Sequence, residues 1–254
     1  MSGRLMVIGL GPGDDRYLTR EALAALEAAD ALYGYEPYLD RVPAREGQSR
    51  HASGNREEGA RAQAALRQAT DGASVAIVSG GDPGVFAMAA ALCEEIGAGP
   101  PAWRALDIAV VPGITAMLAV AARAGAPLGH DFCALSLSDN LKPWELIERR
   151  LDAAAGAGFV IALYNPVSRA RPWQLSTAFE RVSRYLPAST PVIFGHAVGR
   201  PDETMTVTTL NAAGEIAADM ATLIIIGSSE TRVIARPGRT PLVYTPRAAE
   251  DALA

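Results

Sequence analysis

The chain is short of the side chains that carry out chemistry unaided. Among 254 residues there is a single lysine, Lys142, and three histidines. Net charge is −5, and no Lys/Arg block interrupts the acidic balance, so nothing draws nucleic acid as a partner. The two cysteines, Cys93 and Cys133, lie in apolar runs without ligand spacing and read as reduced core residues. No Cys/His/carboxylate cluster has metal spacing, so no metal is expected. Neither a Gly-x-Ser-x-Gly elbow nor a Walker loop occurs, which removes two common routes to hydrolysis and phosphate binding. No apolar run approaches the ~18 residues of a membrane span, and no charged-then-apolar leader precedes Gly3. The expectation is a cytoplasmic chain, off the membrane.

What is present is material for a core. Hydrophobic residues make up 49% and charged residues 20%, which suits one large or two small α/β domains. The organising stretch is Ser79-Gly80-Gly81-Asp82-Pro83-Gly84-Val85-Phe86. The apolar run Ala73–Val78 before it predicts a buried strand. Val85–Ile96 after it predicts a helix closed by Gly97. Glycines at a strand-to-helix junction permit positive φ and let main-chain N–H groups approach a ligand. Asp82 sets an acceptor beside them. The same residues also suit a plain tight turn.

Leu5–Leu10 predicts a first strand running into Gly9-Leu10-Gly11-Pro12-Gly13-Asp14. This departs from the dinucleotide fingerprint: the third glycine is misplaced, Pro12 lacks an N–H, and the helix expected over Thr19–Ala29 starts late. A strand at Ala31–Tyr33 leads into Gly34-Tyr35-Glu36-Pro37-Tyr38. The polar segment with Arg41, Arg45, Arg50 and His51 reads as a surface loop or an arginine flap. Asn55-x-x-Glu58 resembles a capping box opening a helix to about Asp71. Asp107–Val111 predicts a strand, broken by Pro112-Gly113 before a helix of small residues from Ile114.

The pattern restarts with strands at Phe132–Leu137, Phe159–Tyr164 and Val192–His196. An edge or antiparallel strand is expected at Thr204–Thr209, and a last central strand at Thr222–Gly227. Helices are expected after Pro143, over Pro172–Leu186 and over Ala212–Asp219. The fold class is therefore α/β, with a mostly parallel N-terminal domain over residues 1–114. A mixed C-terminal domain covers 115–254, and a ligand cleft is expected between the two. Glycine, Thr/Ala and Tyr-Asn junctions at strand ends, without a nucleophile, suit methyl transfer from a sulfonium. There, positioning supplies most of the rate.

Four ordered motifs carry a resemblance over nearly the whole chain: Gly9–Asp14, Ser79–Phe86, Val111-Pro112-Gly113-Ile114-Thr115-Ala116 and Leu163-Tyr164-Asn165-Pro166. Together they resemble the tetrapyrrole (precorrin) methyltransferases. Gly34–Tyr38, Ser138–Trp144 and Ala162–Ser168 are similar to the branch that methylates precorrin-3B at carbon 17 and contracts the ring to precorrin-4 in cobalamin biosynthesis. The resemblance implies a homodimer that uses S-adenosylmethionine. It places Gly80, Gly81, Asp82, Val85, Thr115, Ala116, Tyr164, Asn165 and Ala197 on the cofactor. It also turns Gly11, Pro12 and Gly13 toward the tetrapyrrole, with Tyr35 beside them. Some of Arg41, Arg45, Arg50, Arg169 and Arg200 are expected to rim the cleft and meet the tetrapyrrole's carboxylates. Ring contraction asks for a general base, for which Asp14, Glu36, Asp139 and His196 are candidates. His196 ranks first, since an imidazole is a usable base at neutral pH. Four alternatives stay open: the same step on cobalt-precorrin-3, a different target carbon, a non-catalytic cofactor-binding module, and a nicotinamide oxidoreductase.

Overall fold

The computed structural model describes residues 3–248. Contacts between Cα atoms divide the chain into two compact units, Met1–Thr115 and Ala116–Ala254.

In the first unit five strands form one parallel sheet: β1 (Arg4–Gly9), β2 (Ala31–Tyr35), β3 (Ser49–Ser53), β4 (Ser74–Ser79) and β5 (Asp107–Val111), in the order β3-β2-β4-β1-β5. Alternation along the strands splits the core into two layers. Leu5, Val7, Val75 and Ile77 pack on Ala62, Ala65 and Leu66 of α3 (Glu58–Thr70) and on Met88 and Leu92 of α4 (Met88–Ala98). Met6, Ile8, Ala76 and Val78 pack on Ala22, Ala25 and Leu26 of α1 (Arg20–Ala28). Strands covered on both faces need apolar residues at nearly every position, which is why β1 and β4 read as unbroken apolar runs. A one-turn helix, α2 (Glu36–Leu39), follows β2.

In the second unit β7 (Phe132–Ser136), β8 (Val160–Tyr164), β9 (Pro191–His196), β10 (Thr204–Thr209) and β11 (Thr222–Ile226) form a mixed sheet in the order β10-β9-β11-β8-β7. Only β7 and β8 run parallel; β11 opposes both β8 and β9, and β10 opposes β9 at the edge. Ile161, Leu163, Phe194 and Ile224 bury against α6 (Trp144–Gly156) and α7 (Gln174–Val182). A third sheet joins β6 (Gly125–Ala126) to the hairpin of β12 (Arg232–Arg236) and β13 (Arg239–Tyr244). The remaining helix, α5 (Ala116–Ala124), opens the unit. The α/β class, parallel in the first unit and mixed in the second, is as the sequence implied.

Several local expectations are corrected. Arg50 and His51 belong to edge strand β3 and not to a loop. Residue 97 lies inside α4, whose C-cap is Gly99 with an extended backbone, so no glycine cap closes at Gly97. The capping box is not formed: Glu57 caps α3, and the Asn55 carboxamide accepts from Arg56 N. The helix expected over Ala212–Asp219 is a single 3₁₀ turn, Ala213–Glu215. Thr222–Ile226 is the last strand of the second unit's main sheet and its central one, as expected, but the hairpin around Pro237-Gly238 that follows it was missed. Its two β-branched runs flanking Pro-Gly were the available signal. Cys93 is exposed on α4 instead of buried, whereas burial pushes the Cys133 thiol up from its usual range.

Candidate active site

The first unit brings its glycine motifs together at one end of the sheet. β1 and β4 are neighbours, yet the chain leaves β1 for α1 on one face and β4 for α4 on the other. Adjacent strands whose connections diverge open a crevice at their carboxyl ends, the favoured ligand position in such sheets. Leu10 N donates to Ser79 O at 2.9 Å. Gly11 and Gly81 exchange two bonds, Gly11 N to Gly81 O at 3.1 Å and Gly81 N to Gly11 O at 2.9 Å. The loop after β5 closes on the same spot. A Cβ on Gly113 would lie 2.2 Å from Gly81 O, and one on Gly9 would lie 2.6 Å from Gly113 N. Only glycine lets three loops meet this closely. The Asp82 carboxylate then ties them: Oδ1 accepts from Gly84 N at 2.8 Å and Oδ2 from Gly113 N at 3.0 Å. Gly80 lies under Tyr38, whose ring atoms would be 2.7 Å from an added Cβ. Tyr38 in turn meets Tyr35 edge-on, with centroids 5.4 Å apart.

The second unit builds its strand ends from side chains. Tyr164 Oη, at the end of β8, accepts from Met117 N at 3.1 Å, capping the amino terminus of α5 beside Ala116. Asn165 adopts φ 52° and donates from Nδ2 to Ser136 Oγ at 2.9 Å. At the end of β9, His196 Nε2 lies 3.3 Å from Asp219 Oδ2. The next residue, Ala197, is buried with φ 48°, and its N–H reaches Ala221 O at 2.9 Å. Among the described residues, Phe86, Asn165 and Ala197 are three of the four non-glycine residues with positive φ, the other being Arg56. Such residues cost of order 1–3 kcal/mol each and gather at functional sites.

The profile of the tetrapyrrole (corrin/porphyrin) methylases matches residues 4–214. The chain belongs to that family. A precorrin-3B C(17)-methyltransferase of Sinorhizobium sp is 62% identical over 97% of both chains. The crystal structure of the methyltransferase CobJ superposes with a TM-score of 0.90 at 45% identity, covering 96% of this chain and all of that one. A uroporphyrin-III C-methyl transferase from Thermus thermophilus, complexed with S-adenyl homocysteine, shares the fold. Its TM-score is 0.68 at 22% identity, covering 89% of this chain and 97% of that one.

For a tetrapyrrole methylase the donor set is apt. The cofactor is S-adenosylmethionine, a nucleoside bearing a cationic sulfur. In the first unit the expected residues offer main-chain groups at Gly80 and Gly81, one carboxylate at Asp82 and the buried Thr115 hydroxyl; in the second, by itself, Asn165 offers a carboxamide. Val85 and Ala116 add small, half-buried apolar surface.

The catalytic candidates separate. Asp14 caps the short turn Asp15–Tyr17; the hydrogen bond from Arg16 N holds its carboxyl below the usual range, which weakens it as a base. Glu36 is exposed in the first turn of α2. Asp139 pairs with Arg171, which also donates to Asn140. Of the four candidates, His196 is the one that offers an imidazole, with the Asp219 carboxylate behind it.

Three of the five arginines already hold main-chain carbonyls. Arg41 Nη2 donates to the carbonyls of Leu10, Gly11 and Gly13, and its Nε and Nη1 are shielded from solvent. Arg45 donates to Ala29 O, and Arg50 to Leu39 O and Val42 O. A guanidinium engaged by main-chain carbonyls in this way helps to hold the fold. Arg169 and Arg200 are exposed. Sequence reasoning gave no role to Tyr38, although it quoted the motif Gly34–Tyr38, and passed over Ser136, Arg171 and Asp219, which lie outside the glycine motifs.

Proposed function

We propose that this methylase transfers a methyl group from S-adenosylmethionine to carbon 17 of precorrin-3B and contracts the ring to precorrin-4. The observation that carries the reading is 62% identity to the Sinorhizobium enzyme, sustained over 97% of both chains. In this reading the cofactor is held by Gly80, Gly81, Asp82, Val85, Thr115, Ala116, Tyr164, Asn165 and Ala197. Gly11, Pro12, Gly13 and Tyr35 face the tetrapyrrole, and Arg169 and Arg200 meet its carboxylates. The protein works as a cytoplasmic homodimer.

The bound cofactor supplies an electrophilic methyl, and alignment with the accepting carbon is the main demand on the protein. Contraction adds a second demand, because a hydroxyl beside the migrating bond must lose its proton. His196 serves that step. Asp219 accepts from Nε2–H, which leaves the lone pair on Nδ1 as the base.

The test is incubation with precorrin-3B and methyl-labelled cofactor, read by mass spectrometry, with cobalt-precorrin-3 run in parallel. One labelled methyl in a contracted product is expected from precorrin-3B; no label in either product overturns the reading. His196→Ala should release methylated, uncontracted product. Contraction at the wild-type rate in that variant would make His196 structural.

A further inference from the structure

Three carbonyl oxygens of the first glycine loop converge on one nitrogen. Arg41 Nη2 lies 2.7 Å from Leu10 O, 3.0 Å from Gly11 O and 2.7 Å from Gly13 O. Left to itself, a loop of glycine and proline has no reason to gather its carbonyls, since their dipoles repel; a cation at the focus reverses that preference. The peptide bonds are trans, so each carbonyl points opposite to the N–H that follows it. Drawing Leu10 O and Gly13 O onto Arg41 therefore turns the amides of Gly11 and Asp14 away from it. The Gly11 amide is found there, bonded to Gly81 O.

Arg41 is itself held. Arg50, on β3, donates to the carbonyls of Leu39 and Val42, on either side of Arg41 in sequence. Contacts thus run without a break from β3 to residues 39–42, and through Arg41 to residues 10–13. From there the paired Gly11 and Gly81 lead to Asp82, which bonds Gly113.

We propose that Arg41 is a positioning residue: it sets the first glycine loop in its working shape and couples that loop to Gly81 in the second. Its consequence for turnover rests on the reading that the first loop faces the tetrapyrrole. The clamp itself does not, and the experiment keeps the two apart.

Three measurements compare wild type with Arg41→Ala. Arg45→Ala serves as the control, because Arg45 also holds a main-chain carbonyl but one outside the glycine loops. The first is amide hydrogen exchange at Gly11 and Gly81, which needs no substrate. Exchange at both should quicken at least tenfold in Arg41→Ala and stay unchanged in Arg45→Ala. Unchanged exchange in Arg41→Ala overturns the clamp whatever the substrate is. The second is the kinetics: kcat/KM for the tetrapyrrole should fall about 10²-fold, the usual consequence of a misplacement near 1 Å. S-adenosylhomocysteine affinity, one link further along, should fall less than tenfold. The third is rescue: methylguanidinium added to Arg41→Ala should restore at least a tenfold part of the lost kcat/KM. Quickened exchange with wild-type kinetics would leave the clamp standing and sink the reading that the loop faces substrate. An equal loss of both affinities in both variants, with no rescue, would make Arg41 a general stability residue and overturn the proposal.

Discussion

The two units reach the same end, loops fixed at strand termini, by different means. In the first the fixing is done chiefly by the main chain: a Cβ on Gly9 or Gly113 would strike main-chain atoms, Gly81 O among them, and Gly11 and Gly81 pair like strand residues. In the second it is done by side chains, with Tyr164 on Met117 N, Asn165 on Ser136 and Asp219 on His196. A parallel sheet accounts for part of the contrast. All its strands end on one side, so their loops crowd and only glycine fits. In the mixed sheet β9 and β11 are antiparallel neighbours, so the strand ends at the site are fewer and farther apart, and side chains span the gaps.

The contrast is broken most severely at Gly113. Gly113→Ala places a Cβ 2.2 Å from Gly81 O and 2.9 Å from Gly9, both main chain and neither free to give way. The expected cost is about 3 kcal/mol, the upper end for overpacking, read by urea unfolding, with binding of S-adenosylhomocysteine lost in calorimetry. Wild-type stability would mean that the loops part easily and that glycine there is incidental.

Asp82→Ala comes next. It leaves the Gly84 and Gly113 amides without their acceptor, at an expected cost of about 1–3 kcal/mol in cofactor affinity. Asp82 joins Arg41 as a side chain that fixes the main-chain unit, so the contrast sharpens if Asp82→Asn, which keeps one acceptor oxygen, recovers part of the loss. Calorimetric affinity equal to wild type in the alanine variant would remove Asp82 from the site.

What the sequence made legible follows the same division. β1, β4 and the glycine junctions were readable because burial on both faces writes an unbroken apolar run, and close approach writes glycine. Asp82 was found because it sits among those glycines, but its chief bond, to Gly113 31 residues away, was not. Which arginines hold the fold was not legible for a physical reason: a guanidinium that grips carbonyls has no sequence signature distinct from one that awaits a carboxylate. Asp219 was missed because it falls in a stretch read as helix, where it would have been one more surface acid. Ser136 was hidden at the end of an apolar strand, and the β12–β13 hairpin by arginines within short strands.

A smaller effect is expected in the second unit. Tyr164→Phe removes the acceptor for Met117 N while keeping the ring, so one neutral hydrogen bond is lost, about 1 kcal/mol by urea unfolding. Amide exchange should quicken at the start of α5 and stay unchanged at Gly81. A change at Gly81 of equal size would dissolve the distinction between the two units.

The smallest effect on stability, and the sharpest test of the second unit's site, concerns Asp219. Burial pushes its carboxyl upward, but hydrogen bonds from Thr222 Oγ1 and Ala221 N, together with the neighbouring His196, outweigh it and leave the group below its usual 3.8. A carboxyl depressed in the folded state binds protons less readily there than in the unfolded chain. Its contribution is therefore complete above about pH 4 and is lost as pH falls through the depressed value. The side chain is 60% exposed, so the effect is small and solvent-screened. In urea unfolding, wild type and Asp219→Asn should differ slightly at neutral pH and converge as pH falls through the depressed range of the carboxyl. A gap that widened toward acid would contradict the sign. Catalysis should respond far more than stability. The asparagine amide can donate to Nε2, which favours the tautomer with its proton on Nδ1 and removes the lone pair assigned to the base. Asp219→Asn should therefore retain methylation, slow contraction and unfold almost like wild type. If contraction proceeds at the wild-type rate while Asp219→Asn is folded, Asp219 does not orient His196, and the side-chain network at β9 serves stability alone.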